Sequence, residues 1–338
     1  MAEHSYLSDP DPEFLPFMAG IIAAAPQRFD VEERRALFVS ATESAKQSFA
    51  PQLPKDTQYR LQDRQVEVEN GGASILVRTL VPASSDGVEN TYPLMVWLHG
   101  GGWTRGDVEL DDYQLRTTCV ELRISIVNVD YRLAPEHPHP TGLNDSYAAL
   151  KWAAENAGLL SADLSKGFII AGLSAGGHFA ATIAHRARDD EFFKDRPLTG
   201  QILQIPPLVN PNAVPERFES VLLSHEQNKD APVLSLKSIF WCYNQLGGNP
   251  ADPEVSPLLY TSHQGLPPAV IQICGLDPLR DEGMLYDRLL REASVKTRTS
   301  VYPGVPHTFQ YSFPHFKAAK TWEQDYRAGI RWLLDGAQ

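Results

Sequence analysis

A chain of 338 residues with 43% hydrophobic and 21% charged residues is long enough for a large core and bears no compositional mark of disorder. Its formal net charge of −12 argues against nucleic acid or an anionic membrane as principal partner, and no apolar run is long enough to span a bilayer. Met1-Ala2-Glu3-His4-Ser5 lacks the basic start and apolar block of a signal peptide, and Cys119, Cys242 and Cys274 are odd in number and widely spaced. They are expected as buried free thiols in a reducing compartment, the cytosol, and not as a disulfide framework or a zinc site.

Residues 1–60 read as a helical, Pro-punctuated extension. Asp30 can cap a helix carrying Val31, Leu37, Phe38 and Val39, and Pro51 and Pro54 follow it. The extension is too short for a core of its own, so Phe14, Leu15, Phe17, Ile21 and Ile22 must be buried on something else, as plain packing, as a lid, or both. Gln65–Glu69 and Ala73–Leu80 alternate around Asn70-Gly71, which predicts a β-hairpin. Tyr92–Leu98 is continuously apolar, as a strand covered on both faces should be, and runs into His99-Gly100-Gly101-Gly102-Trp103. A helix around Tyr113–Glu121, the strand Ile124–Asp130, the irregular stretch Tyr131–Pro140 and a helix over Asn144–Asn156 come next. Phe168–Ala171 is a short buried strand that breaks at Gly172, and Phe179, Ala180, Ile183 and Ala184 then recur at helical spacing. After the strand Gln201–Ile205, residues 206–259 change character, with clustered prolines, frequent aromatics and no βα repeat. They are expected as an insertion that packs with the extension over the strand carboxyl ends. Alternation resumes with the strand Ala269–Cys274, the helix Asp281–Glu292, the strand Thr297–Tyr302 and the helix Ala318–Leu334. Strand alternating with helix predicts an α/β fold with a mostly parallel sheet and helices on both faces. The core is then divided into residues 61–205 and 260–338.

Such sheets bind ligands at their strand carboxyl ends, and three features fall there. Gly172-Leu173-Ser174-Ala175-Gly176 puts Ser174 on a strand-to-helix turn, the context of a nucleophile elbow; alone, this pattern arises by chance in roughly one comparable chain in ten. His99-Gly100-Gly101-Gly102 offers bare amide N–H groups to an oxyanion. A phosphate cradle is the other use of such a loop, but neither a Walker A Lys-Ser/Thr nor a G-x-G-x-x-G accompanies it. The third feature is an acid–base pair. A serine hydroxyl needs an imidazole to take its proton, and the imidazole needs a carboxylate to orient it. Asp277 follows one strand and His307 the next, giving the order Ser, Asp, His. Asp281 and Glu282 are read as first-turn residues of a helix. His178 and His185 are read as surface or satisfied core on the elbow helix, and His137 and His139 as the rivals of His307.

HGGGW (99–103), YRLAPE (131–136), GLSAGG (172–177), GLDPLRDEG (275–283) and GVPHTF (304–309) together resemble the hormone-sensitive-lipase-like esterases of the α/β-hydrolase superfamily, from about Met95 to the end. The resemblance implies an α/β-hydrolase fold with a helical cap, formed by residues 1–60 and 206–259. It implies Ser174 as nucleophile, Asp277 as orienting acid and His307 as general base. Gly101, Gly102 and the N–H of Ala175 would form the oxyanion hole, with His99 holding the loop in shape. Leu173 departs from the family's usual Asp. The reaction expected is hydrolysis of small-molecule carboxylic esters of short to medium acyl groups, in a pocket expected to include Trp103 and Leu208. No metal or organic cofactor is expected, and no stable membrane association; the family also contains homodimers. The alternatives are an acyltransferase, thioesterase or lactone hydrolase using the same triad, or a non-catalytic small-molecule receptor, against which the presence of His307 speaks.

Overall fold

The computed structural model of the chain describes residues 4–24, 29–69, 72–84 and 90–338. Among the described residues the extension holds the α-helices α1 (Leu15–Ala24) and α2 (Val31–Phe49); of the apolar residues expected to be covered, Phe14 is buried and Ile21 half-buried, but Leu15, Phe17 and Ile22 are exposed. Asp30 caps α2 as its position suggested, its carboxylate accepting the Glu33 N–H at 2.8 Å. The strands β1 (Tyr59–Glu67) and β2 (Ser74–Pro82) pair antiparallel in unbroken register from Tyr59↔Pro82 to Glu67↔Ser74. The hairpin is therefore present, while Asn70 and Gly71 lie outside the described residues. β1 starts six residues earlier than the alternation indicated. It is an edge strand on which only Tyr59 and Val66 are buried, so its first half carries little hydrophobic signal.

The remaining elements are β3 (Leu94–Leu98), α3 (Asp112–Leu122), β4 (Ser125–Asp130), α4 (Thr141–Glu155), β5 (Phe168–Leu173), α5 (Ala175–Asp189) and β6 (Gly200–Gln204). The insertion contributes α6 (Glu216–Glu219), α7 (Ser224–Gln227) and α8 (Leu236–Leu246). β7 (Ala269–Leu276), α9 (Arg280–Glu292), β8 (Thr297–Pro306), α10 (Phe309–Ser312) and α11 (Lys317–Leu334) complete the chain.

The eight strands form one sheet in the order β1-β2-β4-β3-β5-β6-β7-β8, parallel from β4 to β8. Every residue of β3, β5 and β7 is buried, and their side chains alternate between two cores. Leu94, Val96, Leu98, Phe168 and Ile170 join the cluster under α4, α5 and α9. Met95, Trp97, Ile169 and Ala171 join the cluster under α3 and α11. From β3 the chain crosses to β4 on one side and returns to β5 on the other. The carboxyl ends of β3 and β5 therefore flank the point where strand order reverses, where α/β sheets open a crevice for ligands. Leu98 and Gly172 are register partners there, so the glycine loop and the elbow emerge side by side.

α2 and α8 meet above this edge. Arg34 lies between the Phe29 and Trp241 rings, 4.3 and 4.8 Å from their centroids, and Lys237 stands 4.7 Å from Phe29.

Candidate active site

The turn from β5 into α5 admits no side chain at its glycines. A Cβ on Gly172 would fall 2.3 Å from the Gly176 carbonyl, and one on Gly176 would fall 1.9 Å from the Leu98 oxygen. This close approach forces Ser174 to φ 53°, ψ −116°, a strained conformation for a non-glycine residue, at the positive end of α5. Its side chain is thereby lifted above the sheet edge.

Asp277 follows β7 and His307 follows β8. One carboxylate oxygen of Asp277 accepts the Leu279 N–H at 2.9 Å; the other lies 2.7 Å from His307 Nδ1. A carboxylate can only accept, so Nδ1 carries the proton and Nε2 is left as an acceptor, 2.9 Å from Ser174 Oγ. The three side chains are buried, with 1%, 6% and 8% of Asp277, His307 and Ser174 exposed. The insertion braces the acid: Asn228 on the segment after α7 donates to the carbonyls of Asp277 at 3.0 Å and Gly275 at 3.3 Å. Nothing in the sequence near Asn228 announced this.

In the glycine loop, Gly101 has φ +122°, and a Cβ there would lie 1.9 Å from the Arg105 oxygen. Among the described residues, the N–H groups of Gly101, Gly102 and Ala175 have no hydrogen-bond partner in the protein. His99 is fully buried, stacked on Tyr131 at 4.2 Å, and its Nδ1–H donates to the Gly100 carbonyl at 2.7 Å. Burial lowers its pKa to about 4, so it is neutral near pH 7 and shapes the loop.

A cavity of about 390 Å³ opens on Ser174, His307, Gly101 and Gly102. Phe38, Ala41, Thr42, Ala45 and Ser48 of α2 wall one side, Val233, Leu234 and Cys242 of the insertion another, and Leu110, Leu173, Tyr311 and Ser312 close it. Trp103 and Leu208 are not among its lining residues. Trp103 adopts φ 61°, which turns the indole into the core. There its Nε1–H donates to His178 at 3.1 Å and its ring packs 4.8 Å from Tyr243. Leu208 is fully buried, and its N–H donates to Glu282. The α2 residues had a readable signal, since positions 38, 41, 42, 45 and 48 share a helix face, but mostly small residues occupy it.

The other candidates sit elsewhere. His178 and His185 are buried on α5, their pKa values pulled down to about 3 and about 2 by desolvation. His137 is exposed, and the His139 N–H donates to the Leu246 carbonyl at 2.7 Å. Asp281 and Glu282 do stand in the first turn of α9, but they also tether the insertion. Asp281 accepts the Ser224 N–H at 2.7 Å; Glu282 accepts the Leu208 and Val209 N–H groups and pairs with His225 at 2.7 Å. Among the described residues no group of three or more His, Cys, Asp or Glu side chains is set to hold a metal, and no helix is long and apolar enough to cross a membrane.

Residues 95–311 match the family model described as an alpha/beta hydrolase fold. The chain is 35% identical over 252 residues to a versiconal hemiacetal acetate esterase of Dothistroma septosporum, covering 73% of this chain and 75% of that protein. It is 36% identical over 258 residues to a carboxylesterase of Mycobacterium tuberculosis, covering 75% and 76%. Among solved structures, vibralactone cyclase superimposes with a TM-score of 0.92 at 45% identity, covering 98% of this chain and 97% of that one.

Proposed function

The chain belongs to the hormone-sensitive-lipase-like family of α/β-hydrolases and is a carboxylic ester hydrolase, and from that premise we propose that Ser174, His307 and Asp277 form its catalytic triad. The observation that carries the reading is the unbroken relay of 2.9 Å from Ser174 Oγ to His307 Nε2 and 2.7 Å from Nδ1 to Asp277.

In this mechanism His307 takes the Ser174 proton as Oγ attacks the ester carbonyl. Asp277 keeps the imidazole in the accepting tautomer and stabilises the imidazolium. The unpartnered N–H groups of Gly101, Gly102 and Ala175 receive the tetrahedral oxyanion, each donor worth roughly 10²–10³ in kcat. His307 then protonates the departing alkoxide, and water repeats the sequence to release the acid. Residues 1–60 and 206–259 act as the cap, and a cavity of about 390 Å³ supports short to medium acyl groups. Three buried free cysteines support a reducing compartment, the cytosol. The test is hydrolysis of 4-nitrophenyl esters of increasing chain length, with Ser174→Ala as control. Activity in that variant equal to the parent's would exclude Ser174 as nucleophile.

A second reading rests on the 45% identity to vibralactone cyclase over nearly the whole chain. The same acyl-enzyme could surrender its acyl group to a hydroxyl of the substrate itself, closing a lactone, instead of to water. Product analysis of hydroxy-acid esters distinguishes free acid from lactone.

A further inference from the structure

The catalytic cavity has an unusual charge balance for a chain of net charge −12. Among the described residues that line it there is no carboxylate, and Arg105 carries its one permanent charge. The Arg105 side chain runs beside the oxyanion loop, where a Cβ on Gly102 would lie 3.7 Å from its Nη1. Its guanidinium stands 5.4 Å from the Phe38 ring on α2, so it bridges the glycine loop and the cap wall.

Among the described residues Arg105 has no acidic partner within ion-pair distance. Among the described residues its guanidinium makes one hydrogen bond, from Nη1 to the Thr104 hydroxyl at 3.2 Å, which leaves most of its five N–H donors free. Several other arginines with little exposure are matched to acids, Arg78 with Asp63 and Asp112, Arg132 with Asp145, Arg186 with Glu254 and Arg280 with Asp281. Of the three carboxylates in the adjoining smaller cavity, which Arg105 also lines, Glu43 pairs with Lys46, Glu109 with Lys46 and Arg78, and Asp107 accepts the Glu109 N–H at 2.8 Å.

A second cation, Arg34, lies outside the cavity lining, against Phe29 and Trp241. Arg34 is only 8% exposed, and its Nε has no partner. Burial, and next the positive charge of Arg105, pull its guanidinium below the ordinary value. Arg105, a cation with free donors on the cavity that Ser174 lines, forms an anion site that a ligand completes.

We infer that Arg105 selects the substrate: the preferred esters carry a carboxylate, which pairs with the Arg105 guanidinium while the ester carbonyl sits at Ser174. This deepens the ester-hydrolase reading and rests on it. The planar fork of arginine suits a carboxylate in two-point contact, and the local positive charge offsets the repulsion an acidic protein exerts on an anion.

The test uses matched pairs of esters followed by pH-stat. Monoethyl glutarate against ethyl pentanoate places the carboxylate on the acyl side, and 4-acetoxybutyrate against butyl acetate places it on the alcohol side. The readout is the ratio of kcat/KM for the charged ester to that for the neutral one, which does not depend on the fraction of active protein. In at least one pair the parent ratio should exceed one and fall roughly 10- to 100-fold in Arg105→Gln, with partial retention in Arg105→Lys. Arg105→Glu should reverse the preference, favouring acetylcholine over butyl acetate. Ratios within twofold of the parent in both pairs for Arg105→Gln would overturn the inference. Absence of all hydrolysis, with Ser174 unlabelled by a phosphonate, would instead remove the ester-hydrolase mechanism, and this inference with it.

Discussion

Replacing Asp277 by Asn tests the relay at its most geometric point. Asp277 Oδ1 is held by the Leu279 N–H at 2.9 Å, and Oδ2 faces His307 Nδ1 at 2.7 Å. An asparagine keeps the shape, but the Leu279 donor claims its amide oxygen. Its NH₂ is thereby turned toward Nδ1, which must now accept. The proton moves to Nε2, and Ser174 Oγ at 2.9 Å meets a donor where it needs a base. The expected loss is on the order of 10³–10⁴ in kcat, about 4–5.5 kcal/mol of transition-state stabilisation, with KM nearly unchanged because no cavity contact is altered. Steady-state hydrolysis of 4-nitrophenyl butyrate measures both constants, and circular dichroism checks the fold. A variant retaining a tenth of the parent kcat would refute the tautomer argument.

Three further outcomes follow from other contacts. Asp111 is fully buried, and desolvation raises its pKa from 3.8 to about 6 despite the donors Tyr311 and Trp97. The folded state therefore holds this proton more tightly; the associated stability is full below pH about 4 and lost as pH rises past 6. Asp111→Asn should gain up to about 3 kcal/mol relative to the parent between pH 4 and 7.5 in urea unfolding, and a pH-independent difference would contradict this. Glu282→Ala strands the buried N–H groups of Leu208 and Val209 and the His225 ring, so unfolding should become easier by about 3–5 kcal/mol; a loss under 1 kcal/mol would show that the insertion is held elsewhere. Ala45→Phe fills part of the α2 wall and should lower kcat/KM for 4-nitrophenyl octanoate relative to butyrate roughly tenfold; an unchanged ratio would take α2 off the acyl path.

The residues that gather at the catalytic edge were legible because contiguous motifs carry them and each motif follows a strand, with β3, β5 and β7 buried throughout. An apolar run, a glycine break and a polar residue place Ser174 and Asp277 at one edge once the sheet is parallel, whereas His307 follows the partly polar, half-buried β8 and is marked by its GVPHTF turn. The cavity walls were not legible in the same way. Trp103 was expected to face the substrate, but its left-handed backbone turns the indole inward onto His178, a conformation no local pattern specified. Leu208 was expected there too, yet its segment is fastened to Glu282 by contacts 74 residues apart in sequence. The true walls come from α2 and the 233–242 stretch, which meet the glycine loop only through long-range packing. Arg105 sits two residues past Trp103 and looks unremarkable in sequence. Its proposed role rests on its place on the cavity wall without an acid partner among the described residues, which only three dimensions reveal.

The central claim is that Ser174 is an activated nucleophile. Incubation with diethyl 4-nitrophenyl phosphate and peptide mass spectrometry tests it directly. The expected result is a single diethylphosphoryl adduct on Ser174, formed in step with loss of esterase activity, absent in Ser174→Ala and strongly slowed in His307→Ala. Inactivation with the adduct on another residue, or full activity with no adduct, would contradict it.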